Sequence, residues 1–329
     1  MPQAGGLVEE QGAAPPGPPV LPRIAVLLPC YNEEAAIGGT VAAFRAHLPH
    51  ATIYVYDNNS RDGTRAVAEA AGAVVRNERV QGKGAVVRRM FADIDADVYV
   101  LADGDATYDA SAAPIMVRRL LEDQLDMVVG ARASEIDAAY RRGHVLGNRL
   151  LTGLLAWMFG RSFSDILSGY RVFSRRFVKS FPALSQGFEI ETEISVHALE
   201  LRMPVAELRT AYGARPEGSL SKLSTYSDGW RILSTMLTLF RIERPVAFFG
   251  TIALTLLFVA LLLALPLAVT YIHTGLVPRL PTAVLVTGIS IVAVLCFFAG
   301  LILDTVTRGR REIKRLAYLT YPPPEPRDF

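Results

Sequence analysis

The sequence predicts an α/β domain built on a mostly parallel sheet, followed by a hairpin of two apolar helices. From Arg23 onward, short apolar segments rich in β-branched residues alternate with helical segments, which is typical of a parallel sheet covered on both faces. Two apolar stretches, 246–272 and 283–303, each reach the roughly 18 to 20 uncharged residues that cross a membrane as a helix. A chain of 329 residues has room for both parts.

Five strands are expected, each a short apolar segment, with a helix in each interval between them. The predicted strands are 24–28, 53–56, 73–75, 98–102 and 127–129. The predicted helices are roughly 34–48, 62–72, 83–95 and 111–124. Ligands of such sheets bind outside the carboxyl ends of the strands, so we expect the functional site there.

Composition divides the chain into five segments. Residues 1–22 are rich in Pro, Gly and Ala and lack the basic start and apolar core of a signal peptide, so we expect a disordered tail. The other expected segments are a catalytic domain at 23–222, an interfacial amphipathic helix at 223–245, a transmembrane hairpin at 246–304 and a basic cytoplasmic tail at 305–329.

Basic residues lie at both ends of the predicted hairpin. Its link, 273–282, contains one basic residue, whereas the flanks contain seven: Arg241, Arg244, Arg308, Arg310, Arg311, Lys314 and Arg315. Basic residues mark cytoplasmic ends, so we expect the catalytic domain in the cytosol. A buried core helix is the alternative, but the stretch 248–269 is interrupted only by Thr, Gly and Pro and has no polar stripe.

Charge and cysteine content exclude some classes of function. The net charge of +2 gives no indication of a nucleic-acid partner. The two cysteines, Cys30 and Cys296, provide neither a disulfide framework nor a Cys-based metal site, which fits a reducing compartment.

Polar residues follow four of the predicted strands, at 29–33, 57–60, 103–105 and 130–132. Structural loops need only turn residues, so this concentration predicts a functional crevice, although Asp57 and its neighbours are also good turn formers. Asp103 and Asp105 are separated by one residue, so on an extended segment their side chains point the same way. Their hard oxygen ligands suit Mg²⁺ or Mn²⁺; a loop with two aspartates and no metal is the alternative.

Four motifs in this order together resemble the family-2 glycosyltransferases of the glycosyltransferase-A fold: LPCYNEE at 28–34, DNNSRDGT at 57–64, GKGAVVR at 82–88 and ADGDATYD at 102–109. The likeness covers about residues 23–245 and is closest to dolichol- and polyprenyl-phosphate sugar synthases. The resemblance implies a nucleotide-sugar donor, a polyprenyl phosphate acceptor, Mg²⁺ or Mn²⁺ as cofactor, and inversion at the anomeric carbon.

The resemblance also implies roles for individual residues. Asp105 is the expected principal metal ligand, with Asp103 near the metal or the ribose. Donor-binding residues are expected to be Pro29, Tyr31, Glu33, Asp57, Asp103, Gly104 and Arg132. Arg215 and Lys222 match a segment that closes over the donor diphosphate, for which a solvated loop is the alternative. Asn58 and Thr107 stand where the family often has Asp and Gln, so the nucleotide base and the third metal ligand stay open.

The acceptor is expected near a basic patch that precedes an apolar helix. Arg141, Arg142, Asn148 and Arg149 are the expected ligands of the lipid phosphate, with Leu154, Trp157 and Phe159 among headgroups. Core packing of this helix fits the sequence equally well. In 187–193 Glu191 is an active-site candidate, whereas Glu189 and Glu193 share a helical face with His197, so surface pairing explains them equally well.

Other functions are weighed against this interpretation. Asp103-Gly-Asp-Ala-Thr107 also fits a haloacid-dehalogenase-type phosphatase, but three βα units precede it. A Rossmann dehydrogenase would need a G-x-G-x-x-G motif after the first strand, and this sequence does not have one there. A transferase of the same fold acting on a polysaccharide or glycolipid hydroxyl stays open, although a Gln-x-x-Arg-Trp motif is not found. The sequence does not decide the sugar, the lipid length or whether the chain forms a homo-oligomer.

Overall fold

A computed structural model describes residues 21–133, 152–158, 160, 163–183, 187, 189–213, 234–235 and 237–326. Its centre is a seven-stranded sheet in the order β3-β2-β1-β4-β6-β5-β7. The strands are β1 (Ile24–Cys30), β2 (Thr52–Asp57), β3 (Val74–Asn77), β4 (Val98–Leu101), β5 (Met127–Ala133), β6 (Arg171–Ser174) and β7 (Val205–Ala211). Every strand runs parallel except β6, which is antiparallel to both of its neighbours.

Helices cover both faces of the sheet and extend beyond it. They are α1 (Glu34–His47), α2 (Thr64–Ala70), α3 (Lys83–Asp93), α4 (Ala113–Glu122), α5 (152–158), α6 (Arg175–Ser180), α7 (Ile190–Glu200), α8 (237–243), α9 (Pro245–Thr274) and α10 (Leu280–Leu319). A short 3-10 helix, Ala110–Ala112, leads into α4.

The five strands and four helices expected from the apolar pattern are confirmed, and so is the mostly parallel sheet. Strands β6 and β7 are additions that the pattern did not predict. β6 has only four residues and begins with a buried arginine, Arg171, whereas β7 is an edge strand with largely half-buried side chains. Neither strand carries the continuous apolar run by which the others are recognised.

Two apolar cores lie on the opposite faces of the sheet. One contains side chains of α1, α2 and α4 packed on β1, β2 and β4. The other contains side chains of α3, α5, α6 and α7, together with Tyr318 from the end of α10. Since both faces are covered, the open positions of the sheet are the ends of its strands, where the polar motifs lie.

Helices α9 and α10 form a candidate transmembrane hairpin. Their apolar windows are long enough to span a bilayer and are only 11 % buried, so they are not core helices of the sheet domain. They pack on each other through small residues, namely Ala253, Ala260, Ala293 and Gly300, which let two backbones approach closely. Large apolar side chains point outward, such as Leu254 and Ile272, which are 72 % and 79 % exposed.

Helix α10 continues past the apolar stretch and returns to the sheet domain. Arg311 binds Glu200 at the end of α7 (3.2 Å) and Glu243 at the end of α8 (3.0 Å), and Lys314 binds Glu200 at 2.6 Å. We call these residues the junction cluster. Burial and the charge of Glu200 raise the pKa of Glu243, and the neighbouring cations oppose this rise. The C-terminal part of α10 is therefore joined by ion pairs to α7 of the sheet domain and to α8, the helix that precedes the hairpin.

Candidate active site

The carboxyl ends of β1, β2 and β4 meet at one edge of the sheet. Cys30 is paired in register with Asp57, and the amide of Asn58 donates to the Cys30 carbonyl oxygen at 2.9 Å. The amide of Ala102 donates to the Leu27 carbonyl oxygen at 3.2 Å. The segments that follow these three strands are consequently neighbours, as parallel pairing requires.

Residues after β1 and β2 hold each other in place. The amide of Glu33 donates to Thr64 Oγ1 at 2.8 Å, and the amide of Asn32 donates to Ser60 Oγ at 2.8 Å. Glu33 and Asp57 are both buried, whereas Tyr31 and Pro29 are half-buried. The Asp57 carboxylate accepts from the Ser60 amide at 3.3 Å, so it shapes this turn in addition to any contact with a ligand.

Asn58 organises the loop that precedes α3. Its Nδ2 atom donates to the carbonyl oxygens of Glu78 and Val80 at 2.9 and 2.8 Å, and its Oδ1 atom accepts from the Gly82 amide at 2.8 Å. An aspartate cannot donate, so it cannot make the first two bonds. The departure from the family pattern at this position therefore has a structural cause in loop 78–82.

Loop 78–82 delivers Lys83 to the site. Lys83 Nζ contacts Asp103 Oδ1 and lies 2.6 Å from Glu191 Oε1, with only 11 % of its side chain exposed. Burial alone lowers the pKa of Lys83, but the two carboxylates outweigh burial and raise it, so the side chain is an ammonium ion. Sequence reasoning assigned no role to Lys83, although the GKG of its motif indicated the position.

Two glycines allow this close packing. A Cβ atom at Gly169 would lie 3.0 Å from both Asp103 Oδ2 and Lys83 Nζ. A Cβ atom at Gly104 would collide with Cys30 Sγ, so the loop after β4 lies directly on the end of β1. Gly104 thus has a packing role beside the donor-binding role expected for it.

Asp105, two residues after Asp103, is buried. Its Oδ1 atom accepts from the Thr107 hydroxyl at 2.6 Å and from the Thr107 amide at 3.2 Å. Thr107 therefore fixes the orientation of the carboxylate. Among the described residues no group of three His, Cys, Asp or Glu side chains forms a metal cage. The pair still fits Mg²⁺ or Mn²⁺, because such ions are commonly bound by one or two carboxylates with substrate phosphates and water.

Arg132, at the end of β5, forms a bidentate ion pair with Asp165. Its Nε and Nη2 atoms lie 2.7 and 2.8 Å from the two oxygens of Asp165, and its guanidinium lies 5.5 Å from the ring centre of Tyr212. Burial raises the pKa of Asp165, but Arg132 outweighs this effect and lowers it. Arg132 is therefore held in a fixed orientation. The sequence predicted a phosphate ligand at this position but not its ion pair with Asp165.

Arg171 ends the segment 164–171, which resembles the segment beneath the acceptor site in the family, but sequence reasoning assigned this arginine no role of its own. It is fully buried, and it donates to the carbonyl oxygens of Ser168 (2.9 Å) and Ile166 (2.5 Å) and to Ser195 Oγ on α7 (2.9 Å). Burial lowers the pKa of Arg171 to about 10, partly offset by nearby carboxylates. Arg171 ties the segment containing Gly169 to the helix that carries Glu191.

The alternative in which Glu189 and Glu193 pair with His197 on the surface is not found, because His197 is not on the surface. His197 is buried between Phe177 and Phe181, and its Nε2 atom lies 3.2 Å from Ser180 Oγ. Burial, followed by the charge of Lys314, lowers the pKa of His197 to about 3, so the ring is neutral. His197 is structural, as expected, but as a core residue.

The helix after the expected acceptor patch joins the core to the start of the hairpin. Leu155 and Met158 of α5 are buried in the core, whereas Trp157 is 65 % exposed. The Trp157 ring lies 5.5 Å from that of Phe240, which in turn lies 5.6 Å from Phe248 in the first turn of α9. Core packing is therefore found for α5, and it includes Leu154, which packs against the core instead of facing headgroups; the place of Trp157 among headgroups stays a prediction. The remaining candidates, Arg141, Arg142, Asn148, Arg149, Phe159, Arg215 and Lys222, lie outside the described residues.

The mostly parallel sheet and the acidic strand end after β4 fit the glycosyltransferase-A type of fold, and comparison with known proteins shows the family. Residues 25–181 match the model of glycosyl transferase family 2. Glycosyltransferase AglJ of Haloferax volcanii is 33 % identical over 299 residues, covering 90 % of this chain and 98 % of that protein. The chain belongs to glycosyl transferase family 2. This assignment confirms the resemblance and excludes the phosphatase and dehydrogenase interpretations.

Two further similarities bear on the fold and the family. The dolichyl-phosphate hexose transferase of Haloferax volcanii is 26 % identical over 206 residues, which cover 63 % of this chain and 89 % of that protein. Glucosyl-3-phosphoglycerate synthase from Mycobacterium tuberculosis, crystallised with Mn²⁺, UDP-glucose and phosphoglyceric acid, has a TM-score of 0.55 and 24 % identity, covering 66 % of this chain and 79 % of that chain.

Proposed function

We propose that the protein transfers a hexose from a nucleotide-diphosphate sugar to polyprenyl phosphate at the cytoplasmic face of a membrane, with inversion at the anomeric carbon. The product is a polyprenyl-phosphate sugar with one phosphate between sugar and lipid. One observation carries the proposal: α5 packs in the same core as α3 and α7, and its Trp157 ring contacts Phe240 of α8, which in turn contacts Phe248 in the first turn of the candidate transmembrane hairpin. A relative named dolichyl-phosphate hexose transferase supports it.

The donor binds at the ends of β1, β2 and β4 in this proposal. Tyr31, Glu33 and Asp57 accommodate the nucleobase and ribose, beside Pro29 and Gly104. Arg132, oriented by Asp165, and the pair Arg215 and Lys222 contact the diphosphate. A synthase of the same fold has been crystallised with UDP-glucose, which supports a nucleotide-sugar donor.

Asp103 and Asp105 would hold Mg²⁺ or Mn²⁺. The bound ion would neutralise the charge that develops on the departing diphosphate. Thr107 keeps the Asp105 carboxylate oriented, and water or diphosphate oxygens complete the ligand set. Solved neighbours with Mn²⁺ or Mg²⁺ support this assignment.

The acceptor explains why the site needs no dedicated base. A phosphate monoester has a second pKa of about 6, so it is largely dianionic at neutral pH and needs no deprotonation. Glu191, a carboxylate that might otherwise serve as a base, is paired with Lys83 at 2.6 Å. Arg141, Arg142, Asn148 and Arg149 would hold the lipid phosphate, so that positioning and leaving-group stabilisation supply the catalysis.

The main competing function is transfer to a hydroxyl of a polysaccharide or glycolipid. Purified protein should be incubated with labelled nucleotide-sugars and polyprenyl phosphate, and the products partitioned between water and organic solvent. The proposal requires an organic-soluble product with one phosphate. Label found solely in water-soluble polysaccharide, or a lipid product that retains a nucleotide phosphate, would show that the acceptor is wrong.

A further inference from the structure

Lys83 stands between two carboxylates from distant parts of the chain. Asp103 follows β4 and Glu191 is in the first turn of α7, and Lys83 Nζ contacts both. The Lys83 and Glu191 side chains are only 11 % and 7 % exposed, whereas Asp103 is 30 % exposed. The ammonium group therefore compensates two negative charges that would otherwise repel each other in a largely dry pocket.

Glu191 has an oxygen atom that is not in use. Its Oε1 atom binds Lys83, while its Oε2 atom is buried and meets no hydrogen-bond donor among the residues that the structure describes. A buried carboxylate oxygen without a donor is energetically costly. A lysine ammonium has three protons, so Lys83 can give a second one to Glu191 if it releases Asp103.

Two cations, the Lys83 ammonium and the proposed divalent ion, compete for the Asp103 carboxylate. In the proposed function it belongs to the carboxylate pair that holds a divalent ion, yet Lys83 occupies its Oδ1 atom. Gly169 leaves little free space there, because a Cβ atom would lie 3.0 Å from both Asp103 Oδ2 and Lys83 Nζ. An ammonium and a divalent ion this close repel each other strongly, since the pocket is poorly screened.

We propose that Lys83 is a placeholder for the divalent cation at Asp103, and that Glu191 retains the ammonium group when the metal displaces it. This inference rests on the proposed function, which supplies the metal. Lys83 keeps the two carboxylates apart and compensated before the donor arrives. It then turns toward Glu191 Oε2, while Asn58 and loop 78–82 keep the backbone of α3 fixed.

The test is Mn²⁺ binding to the full-length protein in detergent without nucleotide, measured by calorimetry and by the electron paramagnetic resonance signal of free Mn²⁺. Lys83→Met removes the competing charge, so it should bind Mn²⁺ at least about tenfold more tightly than the wild type. Lys83→Gln should behave like Lys83→Met and retains a donor for folding. Lys83→Arg keeps the charge and should bind Mn²⁺ like the wild type.

Lys179→Met is the matched control. Lys179 is a half-buried lysine that binds the carbonyl oxygens of Phe91 and Ile94 at 2.9 Å, near the other end of α3, and contacts no carboxylate of the site. Its loss should leave Mn²⁺ affinity unchanged. Thermal unfolding gives a second readout: in EDTA Lys83→Met should unfold at a lower temperature than the wild type, and Mn²⁺ should raise its midpoint more.

Equal or weaker Mn²⁺ binding by both Lys83→Met and Lys83→Gln would overturn the inference, because Lys83 would then assist the metal site. If transfer activity still depends on metal in that case, the proposed function stands without the inference. If the wild type and both variants bind no Mn²⁺ with or without donor nucleotide, the metal assignment and the inference fall together.

Discussion

The hydroxyl of Tyr318 donates a hydrogen bond to Oδ2 of Asp126 at 2.8 Å, joining the last turn of α10 to the residue that precedes β5. Asp126 is completely buried and also accepts from Ser174 Oγ at 2.8 Å and from Arg176. The Arg176 guanidinium lies 4.7 Å from the centre of the Tyr318 ring. The far end of the hairpin is thus fastened to the sheet that carries the active site.

Tyr318→Phe should destabilise the catalytic domain by about 1–2 kcal/mol, since a hydrogen bond to a charged group is lost while Ser174 and Arg176 still satisfy Asp126. Denaturant unfolding in detergent measures this difference. Tyr321→Phe is the control, because its ring contacts Arg175 at 5.6 Å and remains in the variant. Equal unfolding midpoints for both variants would mean that the Tyr318 bond does not stabilise the domain.

Asn58→Asp restores the residue that is common in the family, and we expect it to be harmful here. The carboxylate cannot donate to the carbonyl oxygens of Glu78 and Val80, and it places a negative charge against them. Position 58 is buried, and a buried polar group that loses its partners costs about 1–3 kcal/mol, so the unfolding midpoint should fall. Turnover should fall as well, because loop 78–82 positions Lys83.

Asn59→Asp is the matched control for that variant. Asn59 also donates to the loop, to the Arg79 carbonyl oxygen at 3.0 Å and to Gln81 Oε1 at 3.2 Å, but it is exposed. Water can replace its partners, so the change should cost well under about 1 kcal/mol. If both variants lose the same stability, burial of Asn58 is not what makes its bonds important.

His197 should make the folded state sensitive to acid. Its pKa is lowered from 6.5 to about 3 by burial and by Lys314, so below pH 6.5 the unfolded chain takes up a proton that the folded chain excludes. The contribution of His197 to the free energy of unfolding is therefore fully present above pH 6.5. It is lost as the pH falls toward 3, by up to about 1.4 kcal/mol per pH unit.

Between pH 6.5 and 5 carboxylates of ordinary pKa stay ionised, so His197→Gln should flatten the pH dependence of unfolding in that window. His50→Gln, at an exposed histidine, should leave the wild-type slope unchanged. A wild-type slope that persists in His197→Gln would show that another group is responsible.

Cysteine labelling tests the orientation of the hairpin. In a Cys296→Ala background, a cysteine at Thr274, at the end of α9, should react with an impermeant reagent added outside intact cells. A cysteine at Ser219, in the catalytic domain, should react only after the cells are opened. The reverse labelling pattern would place the catalytic domain on the other side of the membrane.

Local patterns predicted most of the fold, because β1, β2, β4 and β5 are continuous apolar runs followed by polar ends. The strand ends also predicted which motifs would meet. What sequence reasoning missed depends on contacts between distant segments. Lys83 gains its importance from Glu191, and Arg171 from Ser195 on α7. The periodicity of apolar residues along the sequence does not indicate such long-range pairs.

The end of α10 shows the same limit. Its basic residues predicted a cytoplasmic tail from charge alone, whereas Arg311 and Lys314 bind buried glutamates and Tyr318 enters the core. Arginine and lysine in a sequence look the same whether they face headgroups or carboxylates. The partners, Glu200 and Glu243, lie on two other helices, so only the fold reveals the junction cluster.

Transfer to two matched acceptors tests the central claim most directly. Polyprenyl phosphate and the corresponding polyprenol should be presented in the same vesicles with the same nucleotide-sugar and Mn²⁺. The masses of the lipid products are then measured by mass spectrometry. We expect hexose on polyprenyl phosphate alone, with one phosphate retained, and a loss of about two orders of magnitude in turnover for Asp105→Asn. Hexose attached to polyprenol at a comparable rate, or full activity of Asp105→Asn, would contradict the account.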